Sequence, residues 1–311
     1  MAVETSSGVR PSSLTAIPPA RKGRSLWYDA WRQLKKNKLA VGGLIFIIVL
    51  AIASYGAPLF APYSYDEGPL DFSDARIPPR FPDHLMGTDK YSWDVLSRIL
   101  YGGQVSLTVG IIGAFTALII GATYGAISGY MGGRVDNGMM RMVDVLYGFP
   151  TLLFVILIMV VLPAENFIQD MTNIFIAIGI VSWMGMARLV RGQFLALREK
   201  EFVDAARMVG VRPMTIIFRH LLPNSIGPAI VWLTLTIPTL ILTEAILSFI
   251  GLGVRPPFPS WGQMISEAWR GMQSSPHLVI FPGLAIVLTM LAFNFLGDGL
   301  RDALDPRHRR D

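Results

Sequence analysis

Six long apolar segments run approximately from Leu39 to Ala57, Val105 to Ile127, Val145 to Pro163, Ile174 to Val190, Ile226 to Ile250 and Leu278 to Gly297. Each is near the ~20 residues that a helix needs to cross a bilayer core of ~30 Å, and the fourth is the shortest. Lipid offers no hydrogen-bond partner, so the backbone of such a segment must satisfy itself within a helix or a closed barrel. The residue alternation of a barrel strand is missing. The expected fold is therefore an all-α polytopic membrane protein with about six transmembrane helices. Charge agrees: Asp, Glu, Lys and Arg make up 16% of the 311 residues, against roughly 25% in a soluble globular chain. A secreted domain, a soluble enzyme on one anchor and a disordered chain are excluded.

Basic residues orient the bundle. Segments 1–38, 128–144, 188–225 and 298–311 share one side and hold 21 of the 27 Lys and Arg residues. Segments 58–104, 164–173 and 251–277 hold the other 6. The basic side faces the cytoplasm, which puts both termini there. Topology thus accounts for the net charge of +5, and no nucleic-acid partner is inferred.

The expected organisation begins with a cytoplasmic N-terminal tail carrying an interfacial helix, residues 1–38. The first transmembrane helix and its extracytoplasmic loop follow, residues 39–104. A five-helix core, 105–298, contains a long cytoplasmic loop, 191–225, and a cytoplasmic tail closes the chain, 299–311. The first span is not read as a removable signal, because the polar stretch before it is too long and no small-residue cleavage site follows. The Ser- and Pro-rich stretch before Ser25 is expected to be disordered. From Ser25, SLWYDAWRQLKKNK reads as a short amphipathic helix with Trp27, Trp31 and Leu34 on one face and its lysines at the headgroups.

The chain carries no cysteine, and its histidines (His84, His220, His277, His308) are scattered. No thiolate site, no HExxH, no GxSxG and no glycine-lysine phosphate loop is present. The chain is not expected to be an enzyme or to bind a cofactor or metal of its own. Gly121, Gly125 and Gly129 form a row of small residues on the second span, read as intramolecular packing rather than a dimer seam. The outer loop 58–104 is rich in proline and acid, suited either to a partner or to a solvated cap. In the third outer loop, Ser260 and Gln263 read as a capping box that opens a helix with Trp261, Met264, Ile265, Ala268, Trp269 and Met272 on one stripe. Within the spans, Glu244 is the ionisable group best placed at membrane depth. Pro228 and Pro238 on the same helix can free carbonyls toward a cavity. Glu244, Pro238 and Trp232 are the candidate pathway residues. The alternative for Glu244 is a hydrogen-bonded structural glutamate near the outer end.

The cytoplasmic segment VRGQFLALREKEFVDAARMVGVRPMTIIFRHLLPN is too long for a connector. Phe202, Ala205, Ala206 and Val209 fall on one face of a helix, with Glu199, Glu201 and Asp204 at its positive end. Gly210 sits where a left-handed cap belongs, and Pro213 can open a second helix, expected to stop at Pro223. Two alanines at the centre of the face suit close docking of a shaped partner; an interfacial helix lying on lipid is the alternative.

These residues resemble the EAA loop of ABC-importer permeases. Asp204, Ala205, Ala206, Gly210, Leu222 and Pro223 fall at its spacing, with Asp204 in place of Glu and His220 in place of Ile. WRQLKKNKLAVGGLIFI, HLMGTDKYSWDVLSRILYGGQVSL, MMRMVDVLYGFP and TEAILSFIGLGVRPPFPSWGQMI are similar to further blocks of the C-type permease of dipeptide/oligopeptide importers. Lys90-Tyr91-Ser92-Trp93 departs from the glycine and arginine that many relatives carry there. The resemblance implies a type I ABC-importer permease fold and a non-catalytic subunit in a complex with a second, B-type permease, two ABC ATPase subunits and an extracytoplasmic substrate-binding protein. ATP and magnesium would be bound on the ATPase subunits, not on this chain. Glu201, Phe202, Asp204, Ala205, Ala206, Val209, Gly210 and Pro223 would lie in or beside the ATPase groove. The implied substrate is a peptide, and relatives also handle nickel chelates, opines, glutathione and oligosaccharides. An ion-coupled secondary transporter is the competing class, but it needs an intramembrane carboxylate network where Glu244 is the one good candidate.

Overall fold

Polar caps decide where four of the described helices begin. The computed structural model describes residues 26–68 and 73–304. Helix α1 spans Leu26–Leu34, α2 Lys38–Tyr55, α3 Ala57–Phe60 and α4 Val95–Met131. Next come α5 (Gly133–Tyr147), α6 (Thr151–Val161), α7 (Phe167–Leu197), α8 (Glu201–Met208) and α9 (Pro213–Thr215). A π-helical turn, Ile216–Leu221, leads into α10 (Leu222–Phe249), followed by α11 (Trp261–Ala268) and α12 (His277–Leu304). The stretch before Ser25, the side chain of Trp27, Pro69 and Asp71 of the outer loop, and the tail beyond Leu304 lie outside the described residues.

Asn37 caps α2 by accepting the backbone N–H groups of Leu39 and Ala40. Asp94 does the same for α4 at Ser97, and Asn166 for α7 at Gln169. Because Asp94 lies well upstream of the apolar run, α4 extends to 37 residues, about 55 Å at 1.5 Å per residue. It therefore projects beyond the bilayer core. The fourth span is likewise longer than its apolar centre, 31 residues, with buried Asp170 and Asn173 in its first turns.

Among the described residues, five helices are long and apolar enough to cross a membrane, and six if a bent pair is counted as one span. That pair corrects the third expected span. Instead of one helix over Val145–Pro163, α5 and α6 meet at 79° across Gly148, Phe149 and Pro150. Pro150 has no N–H to continue a helix, and it disfavours helical geometry at Phe149. Helix α6 alone has 11 residues, about 16 Å of rise, half a bilayer core.

Helices α4 and α7 form the central seam. A Cβ on Gly121 or Gly125 would collide with the carbonyl oxygen of Trp183 or Ala187, and one on Gly129 would lie 2.8 Å from that of Arg191. The small-residue row is thus spent on packing within the chain, as read from the sequence. Leu107, Ile174, Ile178, Ile241 and Leu247 fill the core where α10 joins this pair. Helix α12 packs against α2 and α10, with Gly43 facing the Ala292 backbone and Gly297 facing Leu235. Helix α1 differs from its expected face: Ala30 and Leu34 are buried with Ala40 and Ala303, while Trp31 is exposed. It docks on the end of α12.

Candidate functional site

The cytoplasmic loop folds as a seated hairpin. Helix α8 carries Glu201 and Asp204 in its first turn. It ends in a paired cap: Val211 N–H reaches Ala206 O and Gly210 N–H reaches Arg207 O. This requires a left-handed residue, and Gly210 supplies it with φ +78°. Pro213 then opens α9 at its first position. The expected stop at Pro223 is corrected. The chain runs continuously from Pro213 to Phe249. Pro223 offers no N–H to the carbonyl four residues back. The turn ahead of it widens, with Leu222 N–H reaching Ile217 O, and the Asn224 amide donates to His220 O at 2.6 Å. The proline is absorbed as a π-turn.

The seat under α8 is Val203, which the periodicity pattern passed over. It is fully buried with Val190 and Phe194 of α7 and with Ile216, Ile217 and Leu221 of the π-turn. Ala206, one turn on, is half-buried in the same cluster. Phe202, Ala205, Met208 and Val209 face outward, the last two at 83% exposure. Glu201, Asp204 and Pro223 are exposed as well. The face read from the sequence is thus divided: Ala206 seats the helix, and the remainder is uncovered.

Behind the hairpin, Asp136 of α5 takes a bidentate pair from Arg191 of α7, at 2.5 and 2.7 Å, and the Ser128 hydroxyl at 2.6 Å. Consecutive positive-φ glycines, Gly132 and Gly133, make the α4–α5 turn that brings Asp136 there. No linear motif announces this lock. The Gly-Gly pair followed three residues later by Asp was its nearest signal.

The pathway candidates separate. Trp232 is half-buried against Gly185 and lines a cleft of ≈430 Å³ with Leu189, Pro228, Val231 and Leu235. Pro238 is buried within unbroken α10. Glu244 is fully enclosed. Its carboxylate accepts the hydroxyls of Ser106 at 2.9 Å and Ser248 at 2.7 Å. Within this chain, hydroxyls of α4 and α10 bond Glu244 and the surrounding side chains enclose it.

On the outer face, Ser260 and Gln263 form the expected capping box of α11. Trp261 is fully buried, whereas Trp269 is half-exposed. Arg98, fully buried on α4, reaches Asp89 at 3.4 Å, Glu267 at 3.3 Å and the Tyr65 carbonyl at 3.3 Å, and its guanidinium stacks on Trp93. Burial raises the carboxyl pKa of both Asp89 and Glu267, and the Arg98 charge opposes that rise.

Comparison with known proteins matches residues 106–310 to the family described as binding-protein-dependent transport system inner membrane component. Residues 25–79 match the N-terminal TM domain of oligopeptide transport permease C. The chain is 46% identical to the oligopeptide transport system permease protein OppC of Haemophilus influenzae, over 93% of this chain and 91% of that protein. It is 44% identical to the dipeptide transport system permease protein DppC of Bacillus subtilis, over 93% and 88%. It is 40% identical to the glutathione transport system permease protein GsiD of Escherichia coli, over 96% and 97%. Its fold is similar to a chain of the MetNI methionine ABC transporter, at a TM-score of 0.52 and 18% identity, covering 68% of this chain and 97% of that one. The chain is a multi-pass membrane permease and belongs to the family of binding-protein-dependent transport system inner membrane components.

Proposed function

We propose that this chain forms half of the path by which an ATP-driven importer takes up dipeptides or oligopeptides, beside a second, B-type permease subunit. Two ATPase subunits on the cytoplasmic side bind ATP and magnesium, and an extracytoplasmic binding protein delivers the substrate. Oligopeptide and dipeptide systems name the relatives above, and glutathione is itself a small peptide, which supports the substrate class. The observation that carries the coupling role is the outward face of α8. Phe202, Ala205 and Val209 lie uncovered on a helix that Val203 seats and Gly210 stops. Such a face suits an apolar groove on a partner, and Glu201 and Asp204 add charge at its rim. The buried seat links α8 to α7 and, through the π-turn, to α10. Closure of the ATPase pair would push on α8 and rock both helices as a rigid unit.

The test is reconstitution in liposomes with the ATPase subunits, the second permease and the binding protein. Peptide uptake should require ATP hydrolysis, and a cysteine at Ala205 should crosslink to the ATPase subunit. Uptake by this chain alone under an ion gradient, or an intact complex in which Ala205 never reaches the ATPase, would overturn the reading.

A further inference from the structure

Helix α11 is held by unlike contacts at its two ends. At its start, Trp261 is fully buried and donates its indole N–H to Ile99 O at 3.0 Å. A Cβ on Gly262 would collide with the Ala245 backbone of α10, so the two helices meet there at their closest. Ser260 caps the helix, and Glu244 binds Ser106 of α4 and Ser248 of α10 at 2.9 and 2.7 Å. The buried indole, the Gly262 contact and the two Glu244 bonds fix this end, while the capping-box bonds are longer, 3.2 and 3.3 Å, and Gln263 Nε2 is buried with no hydrogen-bond partner among the described residues. The far end is looser. Glu267 meets Arg98 at 3.3 Å, the long limit of a hydrogen bond. Its other carboxylate oxygen is buried with no hydrogen-bond partner among the described residues. A pocket of ≈240 Å³, lined by Arg98, Met264, Glu267 and Ala268 among others, lies alongside and gives these side chains room to move.

We propose that α11 is a hinged cover on the outer face of the permease. Glu244 is the positioning residue of its fixed N-terminal end, and Arg98 is the positioning residue of a latch at its C-terminal end. Uptake opens the latch while the hinge stays closed. The hinge and latch stand on the geometry alone; their opening during uptake rests on the importer reading above. Arg98 ties the cover to the first outer loop through Asp89 and Tyr65. A partner that displaces that loop from outside therefore pulls on the latch directly.

The chain contains no cysteine, so single cysteines report cleanly. Ala268→Cys probes the latch. Ser54→Cys probes the hinge, since Ser54 is fully buried beside Gly103, which Trp261 also touches. Both are labelled from outside with a membrane-impermeant maleimide, in the full complex, at rest and during ATP-driven turnover with binding protein and a dipeptide. Turnover should speed labelling of Ala268→Cys roughly tenfold or more, the factor set by one hydrogen bond to a charged group, and leave Ser54→Cys protected. Adding Arg98→Ala should give the fast rate at rest, and Arg98→Lys should restore part of the protection. Where Arg98→Ala does not fold, Glu267→Gln takes its place. Adding Glu244→Ala should expose Ser54→Cys. Equal acceleration of both cysteines, or no acceleration of Ala268→Cys while uptake proceeds, would overturn the hinge. So would a resting rate unchanged by Arg98→Ala or Glu267→Gln. A complex without ATP-driven uptake would refute the importer reading, and the resting rates would still decide the hinge and latch.

Discussion

Substituting alanine for glycine should stabilise the protein at one position and fail to do so at another in a neighbouring helix. In a helix interior, alanine is favoured over glycine by about 0.8–1 kcal/mol. At Gly42 of α2, an added Cβ meets nothing within 4 Å among the described residues, so Gly42→Ala should stabilise the protein by about that amount. At Gly125 of α4, the Cβ would lie 2.9 Å from Arg191 N, 3.0 Å from Ala187 C and closer still to Ala187 O. Comfortable carbon contacts begin near ~3.5 Å, and backbone cannot swing aside, so α4 and α7 must part. Overpacking of this kind costs about 1–3 kcal/mol. Set against the propensity gain, Gly125→Ala comes out between neutral and about 2 kcal/mol destabilising, always below Gly42→Ala by the overpacking cost. Denaturant titration of the purified protein in detergent, followed by tryptophan fluorescence, measures both. Equal stabilisation by the two substitutions would show that the α4–α7 seam is looser than described.

Three further outcomes follow from the cytoplasmic hairpin. Val203→Ala should unseat α8 at a cost of about 2 kcal/mol, from two buried methyl equivalents plus a cavity; faster amide hydrogen exchange confined to α8 would register it. Ala205→Glu, on the uncovered face, should change stability by less than about 0.5 kcal/mol, yet abolish stimulation of ATP hydrolysis by substrate-loaded binding protein; a variant that couples normally would dismiss the docking face. Arg191→Ala should destabilise by about 2 kcal/mol, because it strips a buried carboxylate of two charge-assisted bonds. Asp136→Asn should cost less, since an amide oxygen can still accept from Arg191 and Ser128, and an equal loss for both in thermal melts would count against the lock.

Helix existence was legible in the sequence, and helix ends only where chemistry marks them. Apolar length located the spans because lipid leaves the backbone no other solution. Asp94 extended α4 upstream of its apolar run, a cap that hydropathy cannot see. Pro150 broke the third span, while Pro228 and Pro238 sit inside an intact α10. Proline alone therefore does not decide. Pro150 follows Gly148 and an amphipathic helix, so two weaknesses coincide. Of the two prolines inside α10, Pro238 is buried among neighbouring helices and Pro228 is exposed on the cleft beside Trp232.

The α8–α9 hairpin was legible for a different reason. Gly210 and Pro213 are conformational requirements with few substitutes, so their order along the chain already spelled helix, left-handed cap and new helix. Which side of α8 faces inward was not, because the apolar positions Phe202, Val203, Ala205, Ala206, Met208 and Val209 nearly encircle an eight-residue helix. Neighbours decide the matter: Phe194 of α7 and Ile216 of the π-turn leave a slot that takes Val203. The π-turn itself arises because Pro223 removes one N–H and the residues upstream must redistribute the orphaned carbonyls. An extra residue in one turn also rotates everything ahead of it by about 100° relative to an unbroken α-helix. Placement of Ile216 and Ile217 under Val203 thus depends on a proline several residues downstream. The motif's proline works as a register setting for the seat of α8 rather than as the end of a helix. Pro223 can thus bear on the seat of α8 while itself standing exposed.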